Sequence, residues 1–229
     1  MRLQDLHWMD VERYLQTDNR ILLVTGATEQ HAYLSLMTDV LIPSSIALAV
    51  AAREGILVAP ALPFGVSGFF ADFPGTISLT QTTFENVLNE MIGSLIQQGF
   101  GRFFILNGHG GNIMPARFDE LASEGIAQIT WYDWWRGNAA TAFAEENGLQ
   151  IDHANWGENF PFTRVETLPS DIANAEKAPI NLGLIEEGQS ARAILGDGAF
   201  GGRYQMDDTL MNALFARVVD EVVALVCNT

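Results

Sequence analysis

The chain has 229 residues, of which 48% are hydrophobic, and its 12 basic and 28 acidic side chains give a formal net charge of −16. This length and apolar content suffice for one domain with a full core, while the charge disfavours phosphate backbones and anionic membrane surfaces as partners. Because residues 1–20 lack an apolar leader and Cys227 is the single cysteine, we expect a soluble cytoplasmic protein that binds neither nucleic acid nor membrane.

Short apolar runs, typical of buried strands, alternate along the chain with segments of helical periodicity. Pro43 lies in the first turn of the first predicted helix, which Gly55 ends. The N-cap of the second predicted helix is Thr82 or Thr83. In chain order the pattern predicts a strand over 21–24, a helix over 44–53, a strand over 56–59, a loop over 60–76, a helix over 84–98, a strand over 102–106, a helix over about 114–123, a strand over 127–132 and a helix over about 207–226.

Strands that alternate with helices are typical of a parallel sheet covered on both faces. We therefore predict an α/β fold, a three-layer sandwich with a mostly parallel central sheet, in a single domain over residues 1–229. The stretch 136–205 shows no regular pattern, so no topology is assigned to it.

Three of the four histidines lie in polar segments, and two of these segments directly follow predicted strands. Ligands of open α/β sheets bind beyond the carboxyl ends of the strands, so the segments are candidates for a functional site. They are residues 27–39 with Glu29, His31 and Asp39, residues 107–112 with His109, and residues 152–159 with His153 and Glu158.

Each of these segments also has a plainer interpretation. Glu29 and His31 could form a polar strand end, although residues two apart face the same side of an extended chain, as ligands of one cluster must. Asp39 could simply cap the helix that follows. His109 lies in a glycine-rich turn, Asn107–Asn112, whose backbone N–H groups could bind phosphate, but the turn matches neither the dinucleotide fingerprint nor the P-loop.

The candidate side chains together form a set of nitrogen and oxygen ligands. Three carboxylates and two or three imidazoles suit Zn²⁺ or Mn²⁺, and the lack of cysteine argues against a structural thiolate site. So many ligands favour two ions bridged by one carboxylate. Two ions about 3.5–4 Å apart can activate a water molecule and polarise a carbonyl, which permits hydrolysis without a protein nucleophile.

Four ordered motifs carry a family resemblance. They are Thr28-Glu29-Gln30-His31 with Thr38-Asp39, then Phe73-Pro74-Gly75-Thr76-Ile77-Ser78-Leu79, then Asn107-Gly108-His109-Gly110-Gly111-Asn112, and finally His153-Ala154 with Glu158. In this order they resemble the creatininase (creatinine amidohydrolase) family, from about Leu6 to the C-terminus. The resemblance implies an α/β sandwich and two divalent ions, zinc or manganese, with iron a further candidate. It also implies hydrolysis of a non-peptide amide that is often cyclic. The implied assembly is a homo-oligomer: a hexamer, a trimer or a dimer.

The resemblance also implies roles for individual residues. Creatininase has a glutamate ligand where this chain has Gly111, and Glu158 would replace it. His153 would be the catalytic histidine that passes a proton to the departing nitrogen. The implied metal ligands are Glu29, His31, Asp39, His109 and Glu158, with Asp39 as the bridge. The implied substrate contacts are Trp134, Trp135, Gly110 and Ser67, although two adjacent tryptophans could also be ordinary packing.

Two departures from the family pattern affect these expectations. The segment between His31 and Asp39 is one residue shorter than in relatives, so either a loop tightens or Asp39 is displaced. Phe69 and Phe70 stand where relatives have a glutamate and a histidine, which predicts an apolar pocket mouth and argues against creatinine as the substrate. Two alternatives remain: an anion- or nucleotide-binding protein that uses the Asn107–Asn112 turn, and a catalytically degenerate family member.

Overall fold

Four parallel strands form the central sheet of the computed structural model, which describes residues 1–184 and 189–228. The strand order is β2-β1-β3-β4, and all three pairings are parallel. Every residue of β1 after the first is buried, as expected for a parallel strand covered on both faces. The strands are β1 (Arg20–Thr25), β2 (Leu57–Val58), β3 (Arg102–Asn107) and β4 (Gln128–Asp133).

Helices cover both faces of this sheet. Because side chains alternate along a strand, Leu22 and Val24 of β1 pack into one core, while Ile21 and Leu23 pack into the other. The predicted three-layer, mostly parallel, single-domain α/β fold is confirmed. One layer holds α2 (Thr38–Glu54), α5 (Asn138–Glu146) and α8 (Asp208–Cys227), and the other holds α1 (Trp8–Leu15), α3 (Gln81–Gln98) and α4 (Arg117–Ser123).

The stretch 136–205 is more ordered than its sequence pattern indicated. Besides α5 it contains two short helices and a two-stranded antiparallel sheet. No helix in the described part of the chain is both long enough and apolar enough to cross a lipid bilayer. The additional elements are α6 (Ser170–Ala173), β5 (Glu176–Lys177), α7 (Ala191–Leu195) and β6 (Gly202–Arg203).

Two predicted helix starts are wrong by a few residues. α3 begins at Gln81 because Thr80 is its N-cap, and Thr80 Oγ1 accepts a hydrogen bond from the Thr83 N–H at 3.2 Å. The predicted caps, Thr82 and Thr83, therefore lie inside the helix. α4 begins at Arg117 rather than near residue 114.

The start predicted for α2 is also wrong, and this error bears on function. The helix begins at Thr38, so Asp39 is in its first turn and Pro43 lies in its interior. Proline has no N–H, so it cannot bond the carbonyl of Asp39 four residues earlier. Asp39 is therefore part of the helix, and it does not cap a helix that starts near Pro43.

The first turn of α2 packs against the ends of two strands. Gly26 follows β1 and Gly108 follows β3, and a Cβ atom on either residue would overlap the carbonyl oxygen of Asp39. Only glycine leaves room for this approach. The contact holds the start of α2 at the carboxyl edge of the sheet.

We expect Gly108→Ala to lower the free energy of unfolding by about 2 kcal/mol or more, because the added methyl group must displace the start of α2. Gly93→Ala is the control: this glycine lies inside α3 with open space around its Cβ position, and the change should stabilise the protein by about 0.5–1 kcal/mol. Urea unfolding with a chelator present measures both. Equal effects of the two substitutions would contradict the close packing at Gly108.

Candidate metal centre

Six of the predicted site residues meet at the carboxyl edge of the sheet. Glu29 and His31 follow β1, Asp39 lies in the first turn of α2, and His109 follows β3. His153 and Glu158 come from the segment before and within a short 3-10 helix, Trp156–Glu158. All of them are buried except His153, which is partly buried.

These side chains form three groups of potential metal ligands: Glu29, His31 and His153 make up one, and the other two share Asp39. One of these two is Glu29, Asp39 and His109, the other is His31, Asp39 and Glu158, and in each group one potential ligand atom per residue lies within 4.8 Å of the others. Asp39 Oδ1 is 2.9 Å from His31 Nε2, and Asp39 Oδ2 is 2.8 Å from His109 Nδ1. The two oxygens of one carboxylate therefore face two different histidines.

The second nitrogen of each of these histidines is bonded to the backbone. His31 Nδ1 donates to the Glu29 carbonyl at 3.2 Å, and His109 Nε2 donates to the Val66 carbonyl at 3.0 Å. Such bonds fix the tautomer and ring orientation of metal-binding histidines. They leave His31 Nε2 and His109 Nδ1, the two nitrogens that face Asp39, without a proton when the ring is neutral.

Several polar atoms at the centre of this cluster make no hydrogen bond within the described residues. They are Glu29 Oε2, His31 Nε2 and Asp39 Oδ2, all of them buried; His31 Nε2 and Asp39 Oδ2 make the ion-pair contacts described above. Leaving a buried polar atom unpaired costs about 1–3 kcal/mol. Unpaired nitrogen and carboxylate oxygen atoms that converge on one point fit Zn²⁺ or Mn²⁺.

The proton affinities of the cluster reflect its crowded charges. Burial alone would lower the pKa of His31, but the carboxylates of Asp39, Glu158 and Glu29 outweigh burial and raise it to about 10. Burial raises the pKa of Glu158 to about 7. The pKa of Asp39 is lowered, because His31 and His109 outweigh its burial. The carboxylates of the cluster thus favour positive charge at His31 and His109.

The backbone after each of two site histidines is strained. Ala32 follows His31 with φ 48°, and Ala154 follows His153 with φ 57°, a region that residues other than glycine rarely adopt. The Ala32 N–H donates to Gln30 Oε1 at 3.1 Å, and the Ala154 N–H donates to Glu158 Oε2 at 2.6 Å. The turn at Ala32 lies in the short segment between His31 and Asp39, and Asp39 reaches the cluster.

Gln30 holds His153. Its side-chain nitrogen lies 2.8 Å from His153 Nε2 and its backbone oxygen 3.1 Å from the same atom, so it offers a donor to an unprotonated Nε2 and an acceptor to a protonated one. Nδ1 is the ring nitrogen that faces the cluster, 3.8 Å from Glu29 Oε1. Burial and the neighbouring charge of His31 hold the pKa of His153 well below its usual range. A neutral His153 is therefore able to exchange a proton at Nδ1.

The contacts of the glycine-rich turn after β3 do not favour an anion site. The N–H groups of Gly108, His109 and Asn112 are all bonded within the protein, and α4 starts five residues after Asn112. The neighbouring carboxylates of Glu29 and Asp39 would also repel phosphate. These contacts disfavour the anion- or nucleotide-binding alternative.

Gly111 has no room for a side chain. A Cβ atom there would overlap the Val66 carbonyl oxygen and lie 2.6 Å from His109 Nε2. A glutamate would not fit at this position without a shift of the turn. Glu158 joins the cluster from another segment.

A cavity of about 430 Å³ opens onto the cluster. Ser67, Gly110 and Trp135, three of the four predicted substrate contacts, line it, and the buried Ser67 hydroxyl makes no hydrogen bond among the described residues. The fourth, Trp134, does not belong to the lining: it is 1% exposed and packs in the core against Phe160.

Sequence reasoning missed three residues that shape this region. Gln30 could have been noticed, since it lies between two candidate ligands, but nothing in the sequence pairs it with His153. Phe200 and Arg136 line the cavity and come from the stretch without a regular pattern. Only the fold brings them to the site.

The chain is similar in sequence to known proteins. A family model described as creatininase, creatinine amidohydrolase, matches residues 4–226. Creatinine amidohydrolase of Pseudomonas putida is 36% identical over 117 residues, 48% of this chain and 45% of the relative. Mycofactocin precursor peptide peptidase of Mycolicibacterium smegmatis is 36% identical over 100 residues, 41% of this chain and 40% of the relative. Each match spans less than half of the curated relative.

The fold matches solved structures over almost the whole chain. A mutant creatininase described as Zn-Zn type has a TM-score of 0.80 and 21% identity, with 98% of this chain and 96% of that chain covered. At this identity the likeness concerns the fold alone. The arrangement of layers and strands is therefore shared.

We expect Mn²⁺ or Zn²⁺ to raise the unfolding midpoint of chelator-treated protein, because the converging ligands exist only in the folded state. The gain is about 2.7 kcal/mol at a free ion concentration of 100 Kd. Asp39→Asn should remove most of this metal-dependent gain in stability. Asp152→Asn, which changes a carboxylate that lines the cavity outside both groups, should keep it. Differential scanning calorimetry measures the shift, and the same gain in Asp39→Asn would contradict the assignment of Asp39.

Proposed function

Because the chain belongs to the creatininase family, we propose that it is a metal-dependent amidohydrolase that cleaves the C–N bond of a small non-peptide amide, linear or cyclic. The observation that carries this proposal is the pair of buried histidine and carboxylate groups that share Asp39 beneath the cavity. The name of the Pseudomonas putida relative, creatinine amidohydrolase, supports the same reaction class.

The proposed centre holds two divalent ions, zinc or manganese, with iron a further candidate. Glu29 and His109 would hold one ion, His31 and Glu158 the other, and Asp39 would contribute one oxygen to each. The separate contacts of the two Asp39 oxygens with His31 and His109 support this division. Bound ions of this kind supply an activated water molecule and polarise the carbonyl of the substrate.

Groups around the cavity would orient the amide. Ser67 lines the cavity, and its buried hydroxyl has no hydrogen-bond partner in the described part of the chain, so we assign it to a polar atom of the substrate. Trp135 offers a flat apolar surface, and Gly110 beside it leaves the cavity open. Fixing the amide against these groups lowers the entropic part of the barrier.

His153 would pass a proton to the departing nitrogen. Its Nε2 is tied to Gln30, so the transfer would use Nδ1, which faces the cluster. Burial and the neighbouring charge of His31 lower the pKa of this ring, which favours its neutral form. The meeting of the carboxylates and imidazoles of the cluster beneath the cavity supports an active enzyme over a degenerate family member.

The assembly, location, domain extent and partners of this protein are also predictions. We propose a homo-oligomer, a hexamer or a trimer or dimer, located in the cytoplasm and formed by a domain that spans residues 1–229. A small-molecule amide is the proposed partner. The net charge of −16 supports the expectation that nucleic acid and anionic membranes are not partners.

We expect close to two divalent ions per chain in protein purified without chelator. Asp39→Ala should lose both ions, because both groups include this carboxylate, whereas Glu158→Ala should lose only the ion of the His31 group. Elemental analysis by plasma mass spectrometry provides the count. Retention of one ion in Asp39→Ala would show that the carboxylate is not shared.

His153→Ala should keep both ions and lose about 10²–10⁴-fold in kcat, the usual contribution of a proton-transfer residue. The test requires an amide that the wild-type protein hydrolyses, found by a screen of creatinine, other cyclic amides and formamides with Mn²⁺ or Zn²⁺ supplied. Loss of an ion in this variant would instead make His153 a ligand, as its proximity to Glu29 and His31 also permits. Unchanged turnover would reject the proton-transfer role.

A further inference from the structure

The cavity wall beside His153 is made of phenylalanine. Phe70 stacks on the imidazole with ring centroids 4.5 Å apart and an interplanar angle of 18°, and Phe200 lies 4.8 Å from the same ring. Phe69 packs edge-on against both phenylalanines and is 44% exposed. These three residues, the phenylalanine wall, form a continuous apolar surface from the imidazole to the solvent.

The side of the cavity next to His109 has a different character. Trp135 lies beside Gly110, where a Cβ atom would be 3.9 Å from the indole. The Arg136 guanidinium lies 5.7 Å from the Trp135 ring centroid, and its side chain is 70% exposed. The cavity therefore has a phenylalanine surface at His153, and at its other side an indole with the Arg136 guanidinium, which pairs with Asp133 at 3.7 Å.

We propose that the leaving amine of the substrate carries an apolar group of aromatic size that packs on the phenylalanine wall. This inference rests on the proposed function, in which His153 gives a proton to the departing nitrogen. That nitrogen must come within hydrogen-bond distance of the imidazole. A substituent on the nitrogen then lies next to Phe70 and Phe200, and it can extend to Phe69.

The exposure of Phe69 and the size of the cavity both support this substrate class. An apolar substituent that covers Phe69 removes its own surface and that of Phe69 from water. An aromatic substituent can also make offset or edge-on contacts with the ring. A volume of about 430 Å³ lies within the range of pockets that bury drug-sized ligands. The cavity therefore has room for a ring in addition to the amide.

Two isomeric amides test which side of the bond carries the ring. N-benzylacetamide has the phenyl group on the amine side, N-methyl-2-phenylacetamide has it on the acyl side, and N-methylacetamide lacks it. Hydrolysis adds water across the C–N bond and releases a carboxylic acid and an amine, with one proton going to the nitrogen. With Mn²⁺-loaded protein we expect kcat/KM for N-benzylacetamide to exceed that of its isomer by about tenfold or more.

Three variants locate the preference. Phe69→Ala should reduce kcat/KM for N-benzylacetamide about tenfold more than it reduces kcat/KM for N-methylacetamide, while Phe69→Leu should keep most of the preference because it keeps an apolar surface. Phe64→Ala removes a phenylalanine that is 38% exposed and does not line the cavity, and it should change neither rate.

The outcomes separate this inference from the proposed function. Equal rates for the isomers, or a preference for the acyl-side phenyl group, would overturn the inference while hydrolysis itself stands. If no amide is hydrolysed, the proposed function fails. Calorimetry then measures whether the phenylalanine wall binds the amine-side phenyl group. Tighter binding of N-benzylacetamide than of its isomer, lost in Phe69→Ala, would support the phenylalanine wall, and equal binding would reject it.

Discussion

The placement of the Asp39 carboxylate is the constraint on which the rest of the site depends. Its backbone is held where α2 packs against Gly26 and Gly108 at the ends of β1 and β3. Its two oxygens meet His31 and His109 at 2.9 and 2.8 Å. The packing that positions the start of α2 therefore also positions Asp39, the ligand that the two groups share. A displaced helix start would disrupt both groups at once.

The side chains around Asp39 are oriented by their own bonds, which form when the chain folds. Backbone carbonyls hold one nitrogen of His31 and of His109, and the Ala154 N–H holds one oxygen of Glu158. Gln30 does the same for His153. These bonds leave the other nitrogen or oxygen of each side chain directed into the cluster. Ion binding therefore requires little further ordering of the side chains.

Much of this site could be predicted from the sequence, for a physical reason. Apolar strands that end in polar residues indicate the carboxyl edge of a parallel sheet, and parallel strands bring Glu29 and His109 to the same edge. Two details could not be predicted. Whether Trp134 or Trp135 faces the cavity depends on a short 3-10 turn after β4, and the pairing of Gln30 with His153 joins residues 123 positions apart.

The shared carboxylate is tested most directly by anomalous diffraction from crystals soaked in Mn²⁺, with data collected on both sides of the manganese absorption edge. The account predicts two peaks about 3.5–4 Å apart, one on each side of the Asp39 carboxylate, with His31 at one peak and His109 at the other. A single peak, or two peaks of which only one contacts Asp39, would contradict it.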